Sequence, residues 1–457
     1  KQFTACQEFL PVLNKSVAVN FLVSGLLNYS NQTFFEGVSE LRPGHYLKYN
    51  LATHGIEIQP WYFLDKASVP IQDSFYTAVK KVRSLFEDSV RIRMRSDVRV
   101  GSCLSGGIDS SAIVGIIHGK AMANEKFATI TSCYADKRYD EQQFSDLVTA
   151  QTGFRSNKVY PDLNHLLEQG HLDEIIYHQD QPFGSASHYS EYSVFKEARK
   201  SGIIVMQDGQ GSDEYLCGYG EFWVAYVKEL LRSFRWTTVW VMFKQKAAHR
   251  NSSLLNELRS FWRTAYLFKM VKQVNKLLRK PMHPWLNENW NQLAKSFAVD
   301  FDYNSVRDLS IAEIQHSSIP YQLHSEDRNS MLFSIESRLP FLDHRLVEYC
   351  IGLPSSYKIR NGYTKAVLRE AVTELPESIK NRKDKMGFVA PDDQWMLLNK
   401  SVVRQELKDV ITATGIFSNE LLNQFDLFTE GKRAYELIYF RALTFGRFCK
   451  IFKIKTN

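Results

Sequence analysis

The chain has 457 residues, 44% hydrophobic and 23% charged, which excludes collagen-like, disordered and disulfide-scaffold classes. Its net charge of +7 is uneven: residues 232–280 hold twelve Lys or Arg against one acid, Glu257, a local +11, so the remainder sums to −4. Overall basicity is therefore no argument for nucleic acid. The six cysteines form no CxxC or similar cluster, and no apolar run approaches the ~18–20 residues that cross a bilayer. No charged-then-apolar signal segment stands at the start. We therefore expect a reduced, soluble cytoplasmic chain with no membrane span and no zinc site.

Residues 1–66 read as short strands and turns, with Pro43-Gly44 feeding an alternating run. Residues 73–93 have helical apolar spacing (Phe75, Val79, Val82, Phe86, Val90). Then 98–104 reads as a strand, 109–118 as a helix, 127–134 as a strand, 142–152 as a helix and 203–207 as a buried parallel strand. Such alternation over 95–220 predicts a doubly wound α/β sheet. From 222 onward the spacing is largely helical.

Four segments carry chemistry. The sharpest is Ser105-Gly106-Gly107-Ile108-Asp109-Ser110-Ser111, leaving a strand and opening a helix. Its glycines let backbone N–H groups approach a phosphate, and the hydroxyls and helix N-terminus add donors. No Gly-Lys-Ser/Thr follows, so it is not a Walker loop. It resembles the pyrophosphate loop of ATP pyrophosphatases; the plainer reading is a tight Gly- and Ser-rich link.

The second, Gln207-Asp208-Gly209-Gln210-Gly211-Ser212-Asp213-Glu214, also follows a strand. Ligands of α/β sheets sit beyond the carboxyl ends of strands, so both loops can line one crevice. Asp109 and Asp213 then offer two hard oxygens to Mg²⁺ bridging ATP phosphates. Its plainer reading is a capped turn. The third places Asp327, Arg328, Glu336, Arg338 and Asp343 among Met331, Leu332, Phe333 and Ile335. Buried charges must be paired, so Asp327, Arg328, Glu336 and Arg338 are expected to form one network shaping a pocket. The fourth, Arg382-Lys383-Asp384-Lys385-Met386-Gly387-Phe388, puts cations on a loop. They can neutralise charge on departing pyrophosphate; otherwise this is a solvated basic turn.

Together these segments resemble glutamine-hydrolysing asparagine synthetases, in order and over nearly the whole chain. His178-Gln179-Asp180-Gln181-Pro182-Phe183, Lys358-Ile359-Arg360-Asn361-Gly362 and Thr364-Lys365 have counterparts there too. The resemblance implies a doubly wound parallel sheet of the ATP pyrophosphatase type with a helical C-terminal part. It implies that 1–66 is the remnant of an N-terminal glutaminase domain and 67–457 a synthetase domain. The activity implied uses ATP and Mg²⁺ to adenylate the aspartate side chain; ammonia from glutamine then gives asparagine, AMP and pyrophosphate.

Carried over, Ser105, Gly106, Gly107, Asp109, Ser110 and Ser111, with Gly209, hold pyrophosphate, and Leu104 and Ser132 contact adenosine. Asp109 and Asp213 hold Mg²⁺, and Lys385 stabilises the pentacoordinate phosphorus and leaving group. Asp327, Arg328, Glu336 and Asp343 shape the substrate pocket.

Two features depart from the family pattern. Gln210 stands where many members have a Glu able to accept a proton from ammonia, as it does in a branch found with polysaccharide and secondary-metabolite pathways. Residue 1 is Lys and not the terminal Cys that glutamine hydrolysis requires, so we expect the chain to be part of something longer. The alternative is a synthetase that closes an amide within one molecule, of the β-lactam synthetase or lasso-peptide cyclase type; a non-catalytic ATP-binding protein is a third reading. The basic 232–280 stretch, interleaved with Trp236, Trp240 and Trp262, reads as an amphipathic cover with its cations in water, no nucleic-acid motif accompanying it. The expected partners are small-molecule substrates, and a homodimer stays open.

Overall fold

The computed structural model describes every residue except 124–126, 163, 250–251, 264–282, 298, 300–302, 304, 384–386, 388–389 and 457. Two strands, β1 (His45–Tyr49) and β2 (Ile56–Pro60), pair antiparallel as a separate hairpin. Five more form one sheet: β3 (Val100–Cys103), β4 (Ala128–Ser132), β5 (Arg155–Val159), β6 (Val205–Gln207) and β7 (Glu336–Arg338). Their order is β5-β4-β3-β6-β7 and every pairing is parallel. The chain thus winds outward from β3 on one side and from β6 on the other. This is the doubly wound sheet the sequence predicts. Ser102 lies opposite Gln207, so the loops leaving β3 and β6 start side by side at the switch point.

Among the elements that sequence reading missed are one helix and both edge strands of the sheet. Helix α1 (Lys15–Ser24) falls where strands and turns were expected; Asn14 accepts from the backbone N–H groups of Ser16 and Val17, and Gly25 ends it at φ +74°. Val17 to Leu22 are all buried, so no polar face reveals the helical period. They join Phe34, Phe448 and Phe452 in the core of the C-terminal helices. β5 and β7 are the sheet's two edges, and their sequences Arg-Ser-Asn-Lys-Val and Glu-Ser-Arg are those of edge strands, polar and short.

Helices cover both faces of the sheet. From α2 (Phe75–Arg93), residues Ala78, Val82, Phe86 and Val90 recur every four positions on its buried side. They meet Ile113, Ile116 and Ile117 of α3 (Ile108–Gly119), together with Val205 and Phe341. On the opposite face α4 (Ser187–Lys200) sends Val194, Phe195 and Ala198 against Ala128, Ile130 and Met206. Farther along the chain, α5 (Ile319–Leu332) packs beside α4.

The described part of the basic stretch behaves as an amphipathic cover. Val239, Met242, Phe243 and Phe261 are buried against Phe222 and Trp223, while Trp236, Trp240 and Trp262 stay exposed. Residues 264–282 lie outside the described residues. All six cysteines are free thiols, four of them buried. No helix among the described residues is long and apolar enough to cross a membrane.

Candidate functional site

At the carboxyl ends of β3 and β6 lies a cleft of about 390 Å³, lined by Leu104, Ser105, Gly107, Asp109, Ser110, Ser132, Gly209, Gln210 and Asp213. Its floor is built by close approach of the two loops. A Cβ on Gly209 would sit 3.0 Å from the Ser110 nitrogen. Gly106 has φ +80°, and a Cβ there would lie 2.5 Å from the Phe144 Cβ, so only glycine fits. Ser105 Oγ accepts from the Gly107 N–H at 3.1 Å, and Ser110 Oγ accepts from the Ser105 N–H at 3.2 Å. Gly107 caps α3 without a side-chain bond to its first turn, leaving those N–H groups available to an anion. Gly106 shapes the loop without lining the cleft, and Ser111 is fully buried, its hydroxyl without a hydrogen-bond partner among the described residues.

Lys365 closes one wall. Its Nζ lies 2.5 Å from Asp109 Oδ2 and 2.5 Å from Asp213 Oδ1, and donates to Ser212 Oγ at 2.8 Å. The side chain is buried and its backbone is left-handed at φ +55°, a conformation rare for a residue with a Cβ and found where surrounding structure imposes it. Burial alone would lower the amine's pKa, but the two carboxylates raise it overall, so it is an ammonium. Asp109 Oδ1 is buried with no hydrogen-bond partner among the described residues. The set fits a divalent cation: Mg²⁺ commonly takes one or two carboxylates and completes its shell with phosphates and water. Beside it Arg382, which also lines the cleft, pairs with Glu141 at 2.5 Å and lies over the Phe144 ring at 3.8 Å.

The opposite wall comes from α4 and α5. Glu191 Oε2 accepts from Ser325 Oγ at 3.0 Å and from Asn329 Nδ2 at 2.6 Å. Ser325 Oγ is also 2.7 Å from His188 Nδ1, and His188 Nε2 contacts the Tyr321 hydroxyl. Burial holds His188 neutral, its pKa pushed down to about 3. Burial also pushes Glu191 up to about 7, against the pull of its two donors.

The other residues singled out in sequence do not gather here. Asp327, Arg328, Glu336 and Asp343 are absent from the cleft lining. The single charge network expected of that segment divides: Arg328 reaches Asp180 at 3.1 Å, Arg338 pairs with Glu336 at 2.8 Å, and Asp343 pairs with Arg345 at 2.9 Å. The cause is exposure. Asp327 and Glu336 are 65% and 59% exposed, so water solvates them and no shared network is needed. Lys385 lies outside the described residues. Lys365 belongs to the Thr364-Lys365 pair that has a counterpart in the family, but nothing in its local sequence assigns it a role. Glu191 carried no motif at all; only the folding of α4 against the cleft reveals it.

The family model for asparagine synthase matches residues 81–434. Asparagine synthetase [glutamine-hydrolyzing] 1 of Bacillus subtilis is 29% identical over 75% of this chain and 54% of its own length. Amidase chyE of Penicillium rubens is 24% identical over 85% of this chain and 63% of its own. The chain thus spans little more than half the length of these relatives. Among solved structures, an NMN synthetase from Francisella tularensis matches at 13% identity and TM-score 0.23, over 32% of this chain and 60% of that one, a likeness too slight to argue from. The family match covers well over half the chain, through both loops and Lys365: the chain belongs to the asparagine synthase family.

Proposed function

We propose that the chain is the ATP-dependent amide-forming ligase part of its protein. It adenylates a carboxylate, in the first instance the aspartate side chain, and passes ammonia from glutamine to it, giving asparagine, AMP and pyrophosphate. The observation that carries this reading is the meeting of the 105–111 and 208–213 loops at the switch point, with Lys365 between Asp109 and Asp213.

On this reading the open first turn of α3 and the Ser105 and Ser110 hydroxyls hold phosphate oxygens, and Leu104 and Ser132 flank the adenosine. Asp109 and Asp213 hold Mg²⁺, which when bound neutralises phosphate charge and orients the leaving pyrophosphate. Lys365 bridges both carboxylates and adds fixed positive charge where the phosphates gather. Lys385 acts on the leaving group. Residues 1–66 are the end of a glutaminase domain, and 67–457 the synthetase domain. The match to a relative named amidase keeps a second reading, an amide closed within one molecule.

The test is release of pyrophosphate and amide from ATP, Mg²⁺, aspartate and ammonium, with Asp109→Ala as control. Aspartate-dependent pyrophosphate with asparagine formed supports the first reading. ATP binding without aspartate-dependent release overturns it in favour of another acid, one carrying its own amine.

A further inference from the structure

We propose that Glu191 accepts the proton lost by the attacking nitrogen during amide formation. The inference rests on the ligase reading above and deepens it. Amide formation needs a group that takes up a proton as ammonia bonds to carbon, and the neutral amide of Gln210 is no such group.

Five carboxylates line the cleft among the described residues: Asp109, Glu141, Glu191, Asp208 and Asp213. Asp109 and Asp213 share Lys365, and Glu141 holds Arg382; a carboxylate tied to a buried cation is a poor proton acceptor. Asp208 accepts the Gln210 backbone N–H at 3.2 Å and bonds the Gly209 N–H and the Cys103 thiol, so its lone pairs hold the second loop. Glu191 differs. Both of its donors, Ser325 and Asn329, go to Oε2, and no described residue bonds Oε1.

The donors behind Glu191 form a directed chain. Ser325 has one proton; given to Glu191, it obliges His188 Nδ1 to donate to Ser325 and Nε2 to accept from Tyr321. That chain fixes the carboxylate's orientation without adding a positive charge. The titratable groups facing Glu191 from the neighbouring elements are Asp208, Glu326, Cys103, Tyr321 and the neutral His188. No Lys or Arg pairs with Glu191 among the described residues. Its affinity for a proton, with a pKa of about 7, is therefore matched to transfer near neutrality.

The step balances. The nitrogen lone pair forms the C–N bond to the acyl carbon, and the C–O bond to phosphorus-bound oxygen breaks with its pair leaving on AMP. One N–H proton passes to Glu191 and from there to solvent.

The experiment separates the two half-reactions in the full chain. Aspartate-dependent exchange of pyrophosphate into ATP reports adenylation; asparagine formation from ammonium, referred to free NH3, reports the second step. We expect Glu191→Gln to keep exchange within about threefold of the parent and to lose amide formation by about 100-fold or more. Its remaining rate should lack the acid limb near neutrality, which Glu191→Asp should retain. Equal amide rates in parent and Glu191→Gln overturn the inference and leave the ligase reading standing. A parent without exchange overturns the ligase reading, and the inference falls with it. Should Glu191→Gln lose exchange as well, Ser325→Ala decides: removing a donor to the carboxylate must move the acid limb of amide formation to higher pH. An unmoved limb overturns the inference.

Discussion

On one wall of the cleft Asp109, Asp213 and Glu141 each have a cation at 2.5 Å; on the other, Glu191 and Asp208, with Glu326 behind them, have none among the described residues. The first wall pairs each of its carboxylates with a fixed cation and suits a polyanion with its metal. On the second, burial and like charge raise the proton affinity of all three acids. The two acid clusters are therefore built for different chemistry: one holds fixed charge, and the other binds protons more tightly than free carboxylates do.

The strongest way to break this contrast is Lys365→Met. It leaves Asp109 and Asp213 facing each other without a cation. Removing one partner of a buried pair costs about 3–5 kcal/mol, read as a lower urea midpoint, and adenylation should fall by about 10³-fold. Millimolar Mg²⁺ should restore part of the stability, because a divalent cation replaces the missing ammonium. A midpoint indifferent to Mg²⁺ would show that the two aspartates are not a metal site.

Glu191→Gln has the opposite sign. Glu191 titrates near 7 in the fold and near 4.3 in an unfolded chain. A raised carboxyl pKa gives stability that is complete below the unfolded value and lost as pH rises through the folded one. The variant, which cannot ionise, should therefore be more stable than the parent at pH 8 by about 3–4 kcal/mol, with the difference vanishing by pH 4. Denaturant titrations at the two pH values measure this, and a destabilised variant at pH 8 would mean that the second wall binds an unseen cation.

Gly106→Ala sharpens the first wall. The added Cβ meets Phe144 and forces a positive φ on alanine, a cost of about 1–3 kcal/mol. Because the loop must shift to relieve it, we expect adenylation to drop by about 100-fold with the pH dependence of amide formation unchanged.

How far each wall was legible follows from how its residues are encoded. The loop of Gly106 and Gly107 announces itself because a tight turn and a close backbone approach demand glycine at fixed positions, and the apolar runs of β3, β4 and β6 mark strands buried on both faces. Lys365 has no role legible in its own segment, since its partners Asp109 and Asp213 come to it only when Ala366–Ala371, the helix it precedes, packs against α2. Glu191 is less visible still. In Ser187–Lys200 it is one polar residue among several, and what distinguishes it is that no cation pairs with it among the described residues, a property of packing and not of local sequence. The same holds for Asp327 and Glu336, whose charge suggested a buried network but whose exposure removes the need for one.

Asp343 supplies the smallest expected effect and a control for pairing away from the cleft. Like Asp109 it is a carboxylate held by cations, here Arg345 at 2.9 Å and Arg93 at 3.3 Å, and it accepts the Arg345 backbone N–H at 3.1 Å as the cap of His344–Gly352. It does not line the cleft. Asp343→Ala should therefore cost about 1–2 kcal/mol through the lost cap, while exchange, amide formation and the KM for aspartate stay within about twofold of the parent. The Arg345 guanidinium lowers the Asp343 carboxyl to about 2, below its unfolded value of about 3.9. A depressed carboxyl pKa contributes stability that is present above the unfolded value and lost as pH falls toward the folded one. The gap between parent and variant should thus be constant from pH 5 to 8 and close below about pH 4. If the KM for aspartate rises instead, Asp343 belongs to the substrate pocket after all, and pairing with arginine no longer separates structural carboxylates from those that serve the reaction.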